Sequence, residues 1–160
     1  MYWTRFSARS LHKAGMDGSS PVTLLSSLGE PLGLTIDFSL RRLYWGEYDS
    51  NKIQTSYMDG RGIQTAVQLP SSSQPFGIAL SSDRIYWGSY GDNKFQSSAR
   101  DGKDIQTLYT ETSNIIHIIL VPAWNQPANR TNHCEGQSCS KLCRRLFTVA
   151  WPEWLRAVCD

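Results

Sequence analysis

The side chains with the richest chemistry lie near the C-terminal end of the sequence. Cys134, Cys139, Cys143 and Cys159 follow 133 residues that contain no thiol. With His133 beside the first, the C-x4-C-x3-C run leaves zinc ligation, disulfides and inert thiols open. Zinc is the least favoured, because no paired C-x2-C knuckle is present and the ligands would crowd one side. The pattern fits a cytosolic chain. It fits equally a secreted chain whose Cys-free domain adjoins a disulfide-rich neighbour. Glu47 and Asp49 form the one close carboxylate pair considered for acid–base work. Their counterparts 42 residues away are Arg5 with Ser7 and Ser89 with Gly91, so solvated loop ends are expected. His12 and His133 have no evident partner. Arg41-Arg42 and Arg144-Arg145 are short charge runs, expected to be solvated. Asn129-Arg130-Thr131 is an N-glycosylation sequon. There is no G-x-S-x-G elbow, no phosphate-cradling glycine loop and no convergent Cys–His pair. No catalytic residue, metal or cofactor is assigned, and a non-enzyme is expected.

The elements that carry these residues come from a globular composition. The 160 residues are 40% hydrophobic and 19% charged, outside the disordered range. Sixteen basic and 14 acidic side chains leave a net charge of +2, too balanced for a nucleic-acid surface. No stretch approaches the roughly 18 apolar residues of a membrane span. No cationic start precedes an apolar core, so no secretory signal is visible.

A repeat of 42 residues organises the first 120 residues. Tyr2-Trp3 recurs as Tyr44-Trp45 and Tyr86-Trp87. Met16-Asp17-Gly18 recurs as Met58-Asp59-Gly60 and Arg100-Asp101-Gly102. Pro31 to Asp37 matches Pro75 to Ser81 at a step of 44, so the loop before Tyr86 is two residues shorter than the loop before Tyr44. Each period reads as short strands. Leu43-Tyr44-Trp45 and Ile85-Tyr86-Trp87 are β-rich. Lys52 to Tyr57 alternates, with Ile53, Thr55 and Tyr57 on one side. Asp59-Gly60 is expected to supply the positive φ angles of a tight hairpin turn. Ile63 to Leu69 is the expected returning strand. Leu34-Thr35-Ile36 and Ile78-Ala79-Leu80 suit crowded inner strands, and Ile115 to Val121 takes the inner position of a fourth period. Four strands in about 42 residues signify a propeller blade.

The period implies a role for two more residue sets. Trp3, Trp45 and Trp87 are expected to pack between blades, as large recurring aromatics do. His117 is expected to be a core histidine or an interblade contact. The phase leaves three outer strands, two whole blades and one spare inner strand. Two whole blades cannot close a ring, since propellers typically need about four to eight. The expectation is therefore an incomplete piece, or a chain that assembles with another.

Tyr-Trp-Thr at 2–4, Tyr-Trp-Gly at 44–46 and 86–88, the Asp-Gly turns and Pro-x-Gly-Leu/Ile resemble the YWTD repeats of the low-density lipoprotein receptor family. Those repeats build six-bladed propellers. Pro127, Cys134, Cys139 and Ser140-Lys141-Leu142-Cys143 resemble the family's exit into an epidermal-growth-factor-like module. The resemblance implies an all-β fold: about three blades of a six-bladed propeller, with a truncated epidermal-growth-factor-like segment. It divides the chain into repeats over 1–122, a connector over 123–133, the module's start over 134–143 and an atypical tail over 144–160. It marks Tyr2, Trp3, Tyr44, Trp45, Tyr86, Trp87, Asp17, Gly18, Asp59, Gly60, Asp101 and Gly102 as structural motif residues. It pairs Cys134 with Cys143, leaves Cys139 and Cys159 uncertain, and places Asn129 in a polar extracellular connector.

Departures from the family pattern are informative. The family's fourth motif residue, an Asp that ties neighbouring blades, is Arg5, Glu47 and Ser89 here, so those ties are in doubt. A buried partner left without its acceptor costs about 1–3 kcal/mol. After Cys143 the likeness stops, and Arg144 to Trp151 has no place in the module. The expected parent is a single-pass receptor, with this segment on the extracellular side of the plasma membrane and membrane attachment only through other parts of that parent.

The implied function is binding of extracellular protein ligands, of lipoprotein or Wnt-pathway type, in an endocytic or Wnt co-receptor, without catalysis. The alternatives are a secreted nidogen-like matrix module and a six-bladed propeller hydrolase with central calcium. The hydrolase needs acidic and amide ligands converging from several blades. The inner strands offer mainly Leu34, Thr35, Ile36, Ile78, Ala79 and Leu80, with Asp37 just outside. A further rival is a product that misfolds because its ring is open.

Overall fold

The computed structural model describes residues 1–113, 115 and 117–120, and the backbone of 147–149 and 155–157. Every regular element among them is a strand. The first sheet contains β1 (Tyr2–Arg5), β2 (Ser10–Lys13) and β3 (Val22–Leu25). The second contains β4 (Pro31–Asp37), β5 (Arg42–Glu47), β6 (Lys52–Tyr57) and β7 (Gln64–Gln68). The third contains β8 (Pro75–Leu80), β9 (Arg84–Ser89), β10 (Lys94–Ala99) and β11 (Gln106–Thr110). Each is an antiparallel meander in chain order. The returning strand foreseen over 63–69 is one residue shorter at each end.

A fourth sheet joins β12 (Ile118–Leu120), β13 (Phe147–Val149) and β14 (Leu155–Ala157). Here β12 pairs parallel to β13, and β13 pairs antiparallel to β14. Two strands thus come from the segment separated above as an atypical tail. Cys134, Cys139, Cys143, Cys159, Asn129 and His133 lie outside the described residues.

The repeat fixes backbone detail as well as strand order. In the pairing of β2, β6 and β10 with the last strand of each sheet, the register shifts at Leu11/His12, Ile53/Gln54 and Phe95/Gln96, and the extra residue is Leu24, Ala66 or Leu108 on β3, β7 or β11. Such a bulge adds one residue and increases local twist, and it recurs at the 42-residue step. The Asp-Gly turns differ from the simple hairpin expectation. Gly18, Gly60 and Gly102 have φ of 82°, 87° and 78°, whereas the aspartates before them do not have positive φ. The second left-handed position is two residues later, at Ser20, Gly62 and Asp104. Asp17, Asp59 and Asp101 instead accept hydrogen bonds from the backbone N–H groups of Ser19, Arg61 and Lys103 at 3.0–3.1 Å.

The core runs as seams between successive sheets. Leu11, Leu28, Leu43 and Trp45 fill the first seam, with Tyr2, Leu24, Leu34 and Ile36 around them. Tyr44, Ile53, Val67, Ile78, Ile85 and Trp87 belong to the second cluster. Ala79, Tyr86, Phe95, Ile115 and Ile118 form the third, where β12 reaches the third sheet. Trp45 and Trp87 are fully buried, as their spacing implied. Trp3 is only half-buried and stacks on His12, with ring centroids 5.4 Å apart. Inner strands approach so closely that a Cβ on Gly33 would fall on the Phe76 carbonyl oxygen. Gly77 sits the same way against the backbone of His117 and Ile118. The His117 side chain itself is exposed. Its part in the interblade contact is backbone, and it is not a core histidine.

Candidate functional site

Immediately after the Tyr-Trp strand of each sheet, the chain places an aromatic residue at the same end of the fold. These residues are Phe6, Tyr48 and Tyr90, again 42 residues apart. Phe6 meets Tyr48 edge-on at 6.2 Å, and Tyr48 meets Tyr90 edge-on at 6.1 Å. Phe76 of β8 extends the row, with its ring 6.2 Å from Tyr90. These separations suit edge-to-face attraction between aromatic quadrupoles. Phe6 and Tyr90 remain about two-fifths exposed. The backbone holds the row in place: Tyr48 N–H donates to the Glu30 carbonyl at 2.9 Å, and Tyr90 N–H donates to the Gln74 carbonyl at 3.0 Å. The sequence signal of the row was present in the same 42-residue step as Tyr-Trp.

Charged groups border the row. Arg9 bridges Glu30 at 3.2 Å and Asp49 at 3.0 Å. Asp49 also accepts from the Glu30 backbone N–H at 2.9 Å. Position 9 thus ties the first sheet to the second. Asn51, its counterpart one repeat on, ties the second to the third by accepting from Gln74 N–H at 3.1 Å. Lys94 pairs with Asp92 at 3.0 Å.

Glu47 is not the solvated loop end expected from its neighbours. It is buried at 5% exposure, accepts from the Trp45 indole N–H at 3.2 Å and accepts from Ser50 Oγ at 2.6 Å. The chain makes room for it with Gly29, where a Cβ would press on the Glu47 and Asp49 carboxylates. The longer acid at Glu47 thus holds the Trp45 indole N–H and the Ser50 hydroxyl, both of its own sheet, in place of the tie between blades doubted above. At Ser89 no acceptor takes that place, and Trp87 Nε1 has no partner among the described residues. Arg5 is exposed on its strand. His12, read above as unpartnered, also shares hydrogen bonds with Ser10 Oγ at 2.8 Å and Thr23 Oγ1 at 3.3 Å.

The opposite ends of the strands carry a second charged tie. Buried Asp37 pairs with Arg100 at 3.1 Å and accepts from Ser39 Oγ and Leu40 N–H. Arg100 also donates to the Ser81 carbonyl and lies over the Tyr44 ring at 5.5 Å. Burial alone would push the Asp37 carboxyl up. The Ser39 hydroxyl, the Leu40 N–H and the Arg100 charge outweigh it and hold that carboxyl below the usual range. Arg42, expected to be solvated, instead donates to Thr55 Oγ1 and lies 4.7 Å over the Tyr57 ring, while Arg41 is exposed. Among the described residues, no three His, Cys, Asp or Glu side chains gather closely enough to hold a metal ion.

No family model matches this chain, and no curated protein matches it by sequence. Solved structures do match. Nidogen in its complex with laminin aligns at 25% identity and TM-score 0.64, over 71% of this chain and 44% of that one. A streptogramin B lyase aligns at 21% identity and TM-score 0.59, over 72% of this chain and 39% of that one. A gluconolactonase from Xanthomonas campestris aligns at 18% identity and TM-score 0.57, over 68% of this chain and 43% of that one. The chain therefore spans less than half the length of each structure. The two enzymes are similar in fold alone. The described part of this chain is a partial β-propeller.

Proposed function

We propose that this chain is a protein-binding propeller segment of the type found in low-density lipoprotein receptor-related receptors, acting without catalysis outside the cell. The observation that carries this reading is the Phe6–Tyr48–Tyr90–Phe76 row. Exposed, prepositioned aromatics supply large contact area at low entropic cost, and Tyr is enriched among residues that dominate binding energy. The Tyr-Trp and Asp-Gly periods, and the likeness to nidogen at 25% identity, support the same kind of module. Nidogen's presence in a laminin complex also supports the matrix reading, so laminin belongs among the first ligands tried. The fold likeness to a lyase and a gluconolactonase keeps an enzyme as the alternative.

The experiment is direct binding of the immobilised 160-residue chain to laminin, to lipoprotein particles and to soluble Wnt-pathway proteins. The expected result is saturable binding of one of them. It should weaken about tenfold or more for Tyr48→Ala or Tyr90→Ala, the loss typical of a central aromatic contact. Calcium-dependent hydrolysis of a lactone, with no binding above a blank surface, would overturn the proposal.

A further inference from the structure

The second and third sheets differ at the strand ends away from the aromatic row. The β4–β5 hairpin, Asp37-Phe38-Ser39-Leu40-Arg41-Arg42, is two residues longer than its counterpart Ser81-Ser82-Asp83-Arg84. It sets Phe38 and Leu40 in solvent, 75% and 57% exposed. Beside it, Leu40, Arg41, Tyr57, Met58, Asp59 and Arg61 enclose an open hollow of about 510 Å³. Ligand sites commonly span about 300–1,000 Å³.

The walls of the hollow are held in place. Met58 N–H donates to the Arg41 carbonyl at 3.0 Å, and Tyr57 N–H donates to the Arg61 carbonyl at 2.9 Å, which joins the hairpin to the β6–β7 turn. The Tyr57 ring lies under the Arg42 guanidinium at 4.7 Å and against Gly62, where a Cβ would crowd it. Asp59, the one acid lining the hollow, is taken by Arg61 at 2.6 Å. Arg41 is exposed, and its side chain makes no hydrogen bond or ion pair among the described residues. An apolar wall of Leu40, Tyr57 and Met58 thus adjoins a guanidinium that lacks an anion.

The third sheet shows that the fold requires none of this. There Ser82 stands for Leu40, Asp83 for Arg41, Ala99 for Tyr57 and Arg100 for Met58. Arg84, the counterpart of Arg42, is neutralised by Asp104 at 2.8 Å.

Charge complementarity names the occupant. A carboxylate satisfies Arg41, and hydrogen bonds between ions are roughly twice as strong as neutral ones. A bulky apolar group beside that carboxylate covers the wall. Leu40 and Tyr57 keep about half of their surface in water, so a small molecule would stay wet. A protein segment brings flanking residues that exclude water from such a contact. An anionic membrane fits less well, because one free arginine near its surface is worth only about 1 kcal/mol.

We propose that the hollow binds an acidic peptide segment of a partner protein, in which Asp or Glu adjoins a bulky apolar residue. The carboxylate pairs with Arg41, and the apolar side chain rests on Leu40, Tyr57 and Met58. The site lies at the opposite strand ends from Phe6, Tyr48 and Tyr90, and it stands whether or not that row binds a protein.

The probes are amidated hexapeptides in a Gly-Ser background, each with Glu next to Leu, Phe or Trp. They are titrated against the 160-residue chain by fluorescence anisotropy. Matched peptides carry Gln for Glu, or Ser for the apolar residue. The acidic–apolar peptides should bind saturably, and either replacement should weaken binding about tenfold or more. Arg41→Asp and Leu40→Ser install the third sheet's residues at exposed positions and should each weaken it by a similar factor. Asp also tolerates the φ of 53° at position 41. Equal binding of Glu and Gln peptides, or no binding of any peptide, overturns the proposal. So does binding that Tyr48→Ala abolishes and Arg41→Asp leaves intact. Binding of phosphatidylserine vesicles in place of the peptides would assign the hollow to a membrane and likewise overturn it. The comparison of Glu and Gln peptides on the wild-type chain decides the matter if the variants do not fold.

Discussion

The indole N–H of Trp45 donates to the Glu47 carboxylate two residues along the same strand, 3.2 Å away in the interior of the first seam. This places Glu47 among the residues that hold the fold together, although acidic residues usually face water.

Removing that acceptor should be costly. Glu47→Ala leaves a buried indole N–H unpaired, a loss of about 1–3 kcal/mol. Ser89→Ala removes no acceptor from Trp87, so its cost should be well below that of Glu47→Ala. Urea unfolding of the two variants, side by side, checks the contrast. Equal losses would mean that the Glu47 contact is energetically idle.

Two glycines should respond for different reasons. At Gly33 a Cβ would meet the Phe76 carbonyl across the seam. Gly33→Ala should therefore cost about 1–3 kcal/mol through overpacking. At Gly18 the space is open and only the φ of 82° opposes a side chain. Gly18→Ala should cost about 1 kcal/mol, from left-handed backbone strain alone. Thermal midpoints of both variants rank the two effects.

The tryptophans should not be equivalent despite their identical spacing. Trp45→Ala empties a fully buried site and should cost about 3–5 kcal/mol. Trp3→Ala should cost clearly less, because Trp3 is half-buried and its main ring partner is His12. Denaturant titration followed by circular dichroism separates them.

Acid should weaken the Asp37–Arg100 tie. The folded carboxyl titrates below its unfolded counterpart, whose value is about 3.9. The stabilisation is therefore complete above that value and fades as pH falls through the lower, folded one. Stability measured between about pH 6 and pH 2.5 should drop more steeply in the wild type than in Asp37→Asn. At neutral pH the variant should be less stable, because it leaves a mostly buried Arg100 without its counter-charge. Parallel curves for the two proteins would remove Asp37 from the acid response.

Much of the fold was legible because the chain repeats a local solution. Tyr-Trp at 2, 44 and 86 and Asp-Gly at 17, 59 and 101 recur wherever the same strand and turn are built. A short alternating segment with a turn residue specifies its own strand by period and propensity. The candidate face was present in the same period at Phe6, Tyr48 and Tyr90, yet nothing in a single repeat says that these rings meet. Only the sideways stacking of sheets brings residues 42 apart within 6.2 Å.

The same division separates strand order from seam chemistry. The sequence by itself determined the strand order of the three meanders and the places of their turns, since these depend on contacts close along the chain. The tertiary structure alone decided that Glu47 faces inward, that Gly29 makes its room and that Arg100 reaches Asp37. Those outcomes depend on the volume and charge left between two sheets. A residue's partners there come from a neighbouring repeat, and local pattern carries no information about how that neighbour has been substituted.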